Sequence, residues 1–582
     1  MSSEPVVLGL NATYHESSCC VVIGGELRAF AEEERFNRVK HAKPAHVDTV
    51  DRLPTSAIAY SLATAGVRWS DVTHVAYSFD PGLRQPLLDE PATAGSWGTA
   101  EGEKIFLEGL RRTPDLLGEL AGFDLADRFH WVSHELAHAA STFYPSGFAD
   151  AAIISLDGIG EHSTGLLAHG VGSRIEKIDE FHYPNSLGFL WEKFSKFVGL
   201  GEYDAPKLMA LAAFSEPSWF AEAFTKFLRR ADGRFEVSLD VLRFRDEDYS
   251  ELEKFFGPRH RPGDLVDTRD AQVAAALQAA TEATLVELAE SLKATTGSES
   301  LCLAGGVALN CIANGRLAAA GTFENIFVQP LAHDGGTALG AALHVAHTQC
   351  GVTERYEMTT PYLGPAFSEE EITQALNDAE LTFERLASPA VTVAGLVAAG
   401  YVGGWFQGAA EVGPRALGNR SILGDPRRPG TRELINLRIK HREYFRPFAP
   451  SVLDEFADDW FDVSGRSRSQ QYMSFAFPVR PEKRPMVPAI LHVDGTSRLQ
   501  RVSAEMNPRY HALITEFHRL TGVPLVLNTS FNTYDEPMVL SPADAVRTYL
   551  RTGMDFLAIG DFLVSRAPVG SPPSTRGTAE VG

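Results

Sequence analysis

Residues 151–180 read AAIISLDGIGEHSTGLLAHGVGSRIEKIDE, and this stretch decides the fold. A run of small and β-branched apolar residues ends at Asp157-Gly158, a polar turn follows, and a second apolar run turns at Gly170–Ser173 into a third. Residues 6–36, VVLGLNATYHESSCCVVIGGELRAFAEEERF, follow the same plan with a Gly24-Gly25 hairpin and a charged helix start. The two stretches share layout more than identity, and we read them as an internal duplication of an α/β unit.

Outward from there, residues 267–294 predict a long amphipathic helix. SLCLAGGVALNCIANGRL at 300–317 gives a buried strand, a Gly305-Gly306 turn and a helix. LAHDGGTALGAALHVA at 331–346 gives a loop, with Asp334 at the start of a further helix. A duplicated unit, a diglycine turn whose N–H groups can cradle phosphate and an Asp-Gly-Gly, in that order, point to an actin-like nucleotide fold. Prolines and a glycine break the periodicity across 352–371, which is the expected domain boundary. Beyond it a helix at 392–399 and the strands YVGGWFQ, VPLVLNTSF and DFLAIGDFLVSR indicate a second α/β domain. The expected organisation is a first domain over 1–355, a second over 366–567 and a disordered tail at 568–582.

A length of 582 residues requires more than one core. A net charge of −22 argues against broad contact with nucleic acid or an anionic membrane, both of which need a basic face. The five cysteines contain no CxxC pair and are odd in number, which fits reduced thiols and a cytoplasmic location. No signal peptide is expected from MSSEPVVLGLN, and no run of about 18 apolar residues reads as a membrane span.

SHELAHAAS at 133–141 contains His134-Glu135-x-x-His138, literally the zinc-protease signature. Imidazoles at i and i+4 share one helix face and can grip one ion. A peptidase needs a third ligand from a following helix, but here the chain enters a strand that ends on Asp157. Asp157 is the more economical ligand, since α/β sheets place functional groups at strand C-termini. Residues 401–450 hold nine Lys/Arg against four Asp/Glu in an otherwise acidic chain. Arg415, Arg420 and Arg446 sit there among Gly, Pro, Leu and Phe, and guanidinium forks suit a small dianion. We read a buried phosphate site, with Asn528 and Ser530 of LNTSFN as amide and hydroxyl partners.

The stretches LGLNATYHESS, AFAEEERFNRVKH, HELAHAASTFY, LAGGVALN, EVGPRALGNRSIL, INLRIKHREYFRPFAPS and LNTSFN, in order, carry a resemblance to the O-carbamoyltransferases of antibiotic biosynthesis and nodulation-factor decoration. That is the family of the cephalosporin and tobramycin carbamoyltransferases and nodulation protein U. The resemblance implies a Kae1-like actin-fold N-terminal domain and a YrdC-like C-terminal domain. It implies that carbamoyl phosphate yields carbamate in the C-terminal domain. Carbamate then crosses an internal channel and is adenylated by ATP, and the carbamoyl group passes to a hydroxyl of a small natural product.

The implied metal is Fe(II), with Mn or Zn compatible, held by His134, His138, Asp157 and Asp334. The implied ATP site is Lys40, Asp157, Lys207, Gly305, Gly306, Asn310 and Asp334. The implied carbamoyl-phosphate site is Arg415, Lys440, Arg446, Arg498 and Asn528, to which the basic segment adds Arg420 and Ser530. His15 and Lys440 are the expected catalytic groups, His15 as general base for the acceptor hydroxyl. Glu135 falls at a variable position of the family's HxxxH. Other readings are a tRNA threonylcarbamoylation enzyme, a non-catalytic nucleotide-binding regulator and a metalloprotease. The acceptor and the oligomeric state are not legible.

Overall fold

The computed structural model describes residues 4–85, 96–217, 220–239, 248–465 and 467–566. The tail expected at 568–582 lies outside the described residues. Two compact units are present: residues 1–364 with 412–414 and 464–476, and residues 365–411, 415–463 and 477–582. The two short returns of the chain into the first unit have no local sequence signal. No helix among the described residues is long and apolar enough to cross a membrane.

The first unit holds two five-stranded sheets. One runs in the order Glu26–Glu32, Ser18–Ile23, Val6–Asn11, His74–Tyr77, Phe129–Trp131. The other runs Arg174–His182, Ser163–Val171, Asp150–Leu156, Ser300–Ala304, Asn325–Val328. In each, three antiparallel strands lie on one side and two parallel strands on the other. The repeat read from residues 6–36 and 151–180 is therefore a repeat of topology. The central strands Val6–Asn11 and Asp150–Leu156 are buried almost throughout, as strands covered on both faces must be.

Two helices pack closely enough to build a site. Helix His134–Phe143 is buried on all faces and presents Ala137, Ala139 and Ala140. Helix Thr337–Thr348 lies against it at Gly340, where a Cβ would sit 1.8 Å from the Ala137 carbonyl oxygen and 2.7 Å from the Ser141 nitrogen. Only hydrogen fits, and the neighbours are backbone that cannot swing aside. Gly340→Ala gains about 1 kcal/mol of helix propensity, yet it must push the helices apart. We expect a net loss of roughly 1–3 kcal/mol, read as a lower urea midpoint.

The second unit is built on a mixed sheet in the order Glu384–Arg385, Phe562–Ser565, Phe556–Ile559, Gly403–Phe406, Arg420–Gly424, Leu525–Ser530, Ala449–Leu453, Thr496–Val502. The segment Ile435–Lys440 closes as a π-helix, a rare form often found at functional sites, and ends on His441 at φ 46°.

Candidate functional site

In the first unit four side chains converge from three elements. His134 and His138 come from one helix face, Asp157 follows the strand Asp150–Leu156, and Asp334 precedes the helix beginning at Thr337. The two Nε2 atoms are 3.2 Å apart. Asp157 Oδ2 lies 3.6 Å from His134 Nε2 and 3.8 Å from His138 Nε2. Asp334 Oδ1 lies 3.6 and 3.5 Å from the same two atoms. A tetrahedral ion with bonds of about 2.0–2.2 Å spaces its ligands roughly 3.3–3.6 Å apart, so these donors fit one cation. Two imidazole nitrogens facing each other at this distance are bridged either by a proton or by a cation, and the four donor atoms together form a group that could hold a metal ion.

Contacts behind the ligands fix their orientation. His134 Nδ1 faces the Ser78 carbonyl at 3.3 Å, which leaves Nε2 as the lone-pair nitrogen. Gly306 N–H donates to Asp157 Oδ1 at 2.7 Å, which turns Oδ2 to the histidines. The left-handed Gly305 (φ 82°) makes that turn possible, because a Cβ there would strike the Leu156 carbonyl oxygen at 2.2 Å. Burial opposes a proton on His134, but the Asp334 and Asp157 carboxylates outweigh it and raise its pKa well above the usual value. Asp334 is held well below the carboxylate range, His134 outweighing burial. Protons therefore compete with the cation until the pH rises through the raised His134 value. Metal affinity is expected to climb with pH, measured by titrating apo protein at several pH values.

Around the cluster, His15 is 27% exposed and its Nδ1 lies 3.9 Å from Asp334 Oδ2. Lys207 is buried and pairs with Asp204 at 3.0 Å, while Lys40 is exposed on the turn after residues 34–37. Asn310, expected in the nucleotide site, caps a helix. Its Oδ1 accepts from Ala313 N at the start of helix Cys311–Ala320 and from Gln278, and its amide donates to Gln278. That is the role of a helix cap. Glu135 is turned into the core, where it accepts from Ser155 at 2.7 Å. Burial pushes its carboxyl up to about 8, so the base of a peptidase is missing from the cluster.

The second unit gathers a cationic group. Strand register places Ser530, Asn528, Ser451, Gln500 and Arg498 on one face of the sheet. Asn528 Nδ2 lies within 2.9–3.1 Å of Ala416 O, Ser451 Oγ and Gln500 Oε1, and its buried Oδ1 has no partner. Buried Lys440 reaches Ser530 Oγ at 3.1 Å and Asn532 Oδ1 at 2.7 Å. Arg442, which the sequence reading did not single out, is pinned by Asn436 at 2.8 Å over the Phe448 ring. Burial and then the charges of Arg446 and Arg498 drive its pKa well below the ordinary range, with Glu443 pulling the other way. Three guanidinium groups crowded against burial are a candidate place for an anion. Arg415 lies half-buried beside Ala416.

Arg420 corrects one expectation. Ser421 pairs with Ser530, so the period of two sends Arg420 to the opposite face. There it is fully buried over Phe406 at 3.7 Å, and its guanidinium donates to the carbonyls of Leu540, Gln407, Gly408, Asn419 and Pro365. It ties loops together and does not reach the face that carries Ser530 and Asn528. Arg420→Met leaves several carbonyls without donors and should cost about 3–5 kcal/mol of stability, read by chemical denaturation.

Glu161 is another group that sequence reasoning missed. It accepts from His134 N at 2.9 Å and Asp80 N at 2.7 Å, and so caps the HxxxH helix from a distant loop.

A family model described as carbamoyltransferase N-terminus matches residues 6–343, and one described as carbamoyltransferase C-terminus matches 394–566. An uncharacterized protein of Synechocystis sp. is 37% identical over 96% of both chains. Nodulation protein NolNO of Sinorhizobium fredii is 38% identical over 96% of this chain and 80% of that one. Nodulation protein U of Bradyrhizobium diazoefficiens is 28% identical over 91% and 92%. Among solved structures, T. kodakarensis HypF aligns over 60% of this chain and 48% of that one, with a TM-score of 0.32 and 14% identity. A superposition this loose leaves the fold to be read from the topology itself.

Proposed function

The chain belongs to the carbamoyltransferase family, and we propose that it is an O-carbamoyltransferase that spends ATP and carbamoyl phosphate on a hydroxyl of a small natural product. The first unit is read as the actin-like, Kae1-like half and the second as the YrdC-like half. The observation that carries the reading is Asp157: one carboxylate closes the His–Asp cluster with Oδ2 and holds the diglycine turn with Oδ1. The cation cluster and the diglycine turn thereby share a residue, which supports reading the two as parts of one nucleotide site.

In the second unit, Arg415, Arg446 and Arg498 take the phosphate of carbamoyl phosphate, with Lys440 and Ser530 beside them. Asn528 Oδ1 is free to accept from the carbamoyl NH₂. Splitting by water gives carbamate and phosphate. Carbamate is a poor electrophile, so its oxygen attacks the α-phosphorus of ATP, pyrophosphate leaves, and the carbamoyl carbon gains AMP as leaving group. His134, His138, Asp157 and Asp334 would hold one divalent cation, of which iron, manganese and zinc all suit the donors; bound there it would offset charge on phosphate oxygens. Lys207 and Lys40 add positive charge near the nucleotide. His15 turns Nδ1 toward Asp334, so Nε2 is the nitrogen left to take the acceptor proton as its oxygen attacks the carbamoyl carbon.

The test is carbamoyl-phosphate-dependent ATP–pyrophosphate exchange, joined to a mass-spectrometric screen of hydroxylated natural products for a carbamoyl mass gain. His15→Ala should keep exchange and lose roughly 10²–10⁴-fold in transfer. Transfer at the full wild-type rate would reject its role.

A further inference from the structure

We propose that Tyr203, seated on the ring of His41, walls the opening beside His15 and keeps water from the activated carbamoyl group. The inference rests on the adenylation reading above. Tyr203 lies in the loop that leads into helix Ala205–Ala212. Its ring stacks on His41 at 4.6 Å and 27°, and meets His15 edge-on at 5.5 Å and 89°. His15 is thus bounded by Asp334 on one side and by the Tyr203 ring on another.

The platform under Tyr203 is fixed with unusual care. His41 Nδ1 meets Glu16 Oε1 at 2.6 Å, Glu16 N–H donates to the His41 carbonyl at 2.9 Å, and His41 N–H donates to Glu34 Oε2 at 2.9 Å. Four non-glycine residues on these two segments take left-handed backbone: Glu16 (φ 53°), Arg38 (59°), His41 (64°) and Ala42 (68°). Such conformations persist only where surrounding contacts enforce them, and they cluster at functional sites. Burial lowers the His41 pKa, but the Glu16 hydrogen bond and charge more than offset it. A proton on the ring under the tyrosine is thus held more readily than on a free imidazole, and an aromatic face attracts the ring once it is protonated. The three rings remain partly exposed, with Tyr203 at 39%.

An acyl adenylate needs such a wall. If water reaches it, the water oxygen bonds to the carbamoyl carbon and the bond from that carbon to the AMP oxygen breaks with its electron pair going to AMP. The proton leaves to solvent, and the carbamate decays to carbon dioxide and ammonia. ATP is then consumed without transfer. A transferase keeps this loss small by excluding water until the acceptor arrives.

The full-length enzyme with ATP and carbamoyl phosphate, and no acceptor, provides the test. Tyr203→Ala should raise AMP release roughly tenfold, while carbamoyl-phosphate-dependent pyrophosphate exchange stays near wild type. Tyr203→Phe keeps the stack and should match wild type, and His41→Ala should reproduce Tyr203→Ala. Unchanged AMP release in Tyr203→Ala overturns the proposal, as does loss of exchange, which would place the ring in the nucleotide site. A wild-type enzyme without exchange removes the adenylation reading and this inference together.

Discussion

Replacing His138 by alanine is expected to empty the cation site and to lower turnover by about 10³-fold or more, the loss of several kcal/mol of charge stabilisation. His138 Nε2 lies within 3.8 Å of His134, Asp157 and Asp334, so its removal opens one corner of the donor set. The remaining carboxylates also favour a proton on His134, which competes with a cation there. Metal content of the purified variant, by elemental analysis, should fall from one ion per chain toward none. A variant that lost activity but kept its metal would separate the cluster from ion binding. His138→Ala should leave phosphate binding by the second unit untouched, since none of that unit's anion-site residues belongs to this cluster.

Arg446→Ala should act in the opposite half. Removing a guanidinium from the Arg442–Arg446–Arg498 group forfeits about 3–4 kcal/mol of charge-assisted hydrogen bonding to a dianion, or roughly 10²–10³-fold in affinity for carbamoyl phosphate. It should also relieve Arg442, whose charge is opposed by Arg446 after burial. ATP binding, read by calorimetry with a non-hydrolysable analogue, should stay within about twofold. Equal loss of both ligands would contradict the assignment of two sites.

Some of this was legible in the sequence for a simple reason. His134 and His138 needed only the helix period to share a face. Asp157 needed only its place after a buried strand, and the repeat needed only two similar runs of strand and turn. Arg420 failed the same kind of reading. Its apolar neighbours marked it correctly as a buried guanidinium, but a period of two separates it from Ser421, and the pairing of Ser421 with Ser530 sends it to the far face. The bond from Asn310 to Gln278, 32 positions away, had no local signal, because a strand–turn–helix asparagine serves equally as cap or ligand. Arg442 and Glu161 were missed because their partners are set by packing: Phe448 and Arg498 for one, the backbone of His134 for the other.

Taken alone, the sequence determined the α/β character, the duplicated layout and the residue types able to bind a cation and an anion, because helix and strand periods are local properties. The tertiary structure alone decided which of those residues meet. Asp334 joins the histidines through a contact at Gly340 that admits no side chain, and the anion site is assembled from strands paired across the second sheet. Register and backbone approach are long-range and cooperative. A one-residue slip would turn a different set of side chains to the site, and no local pattern records which register is chosen.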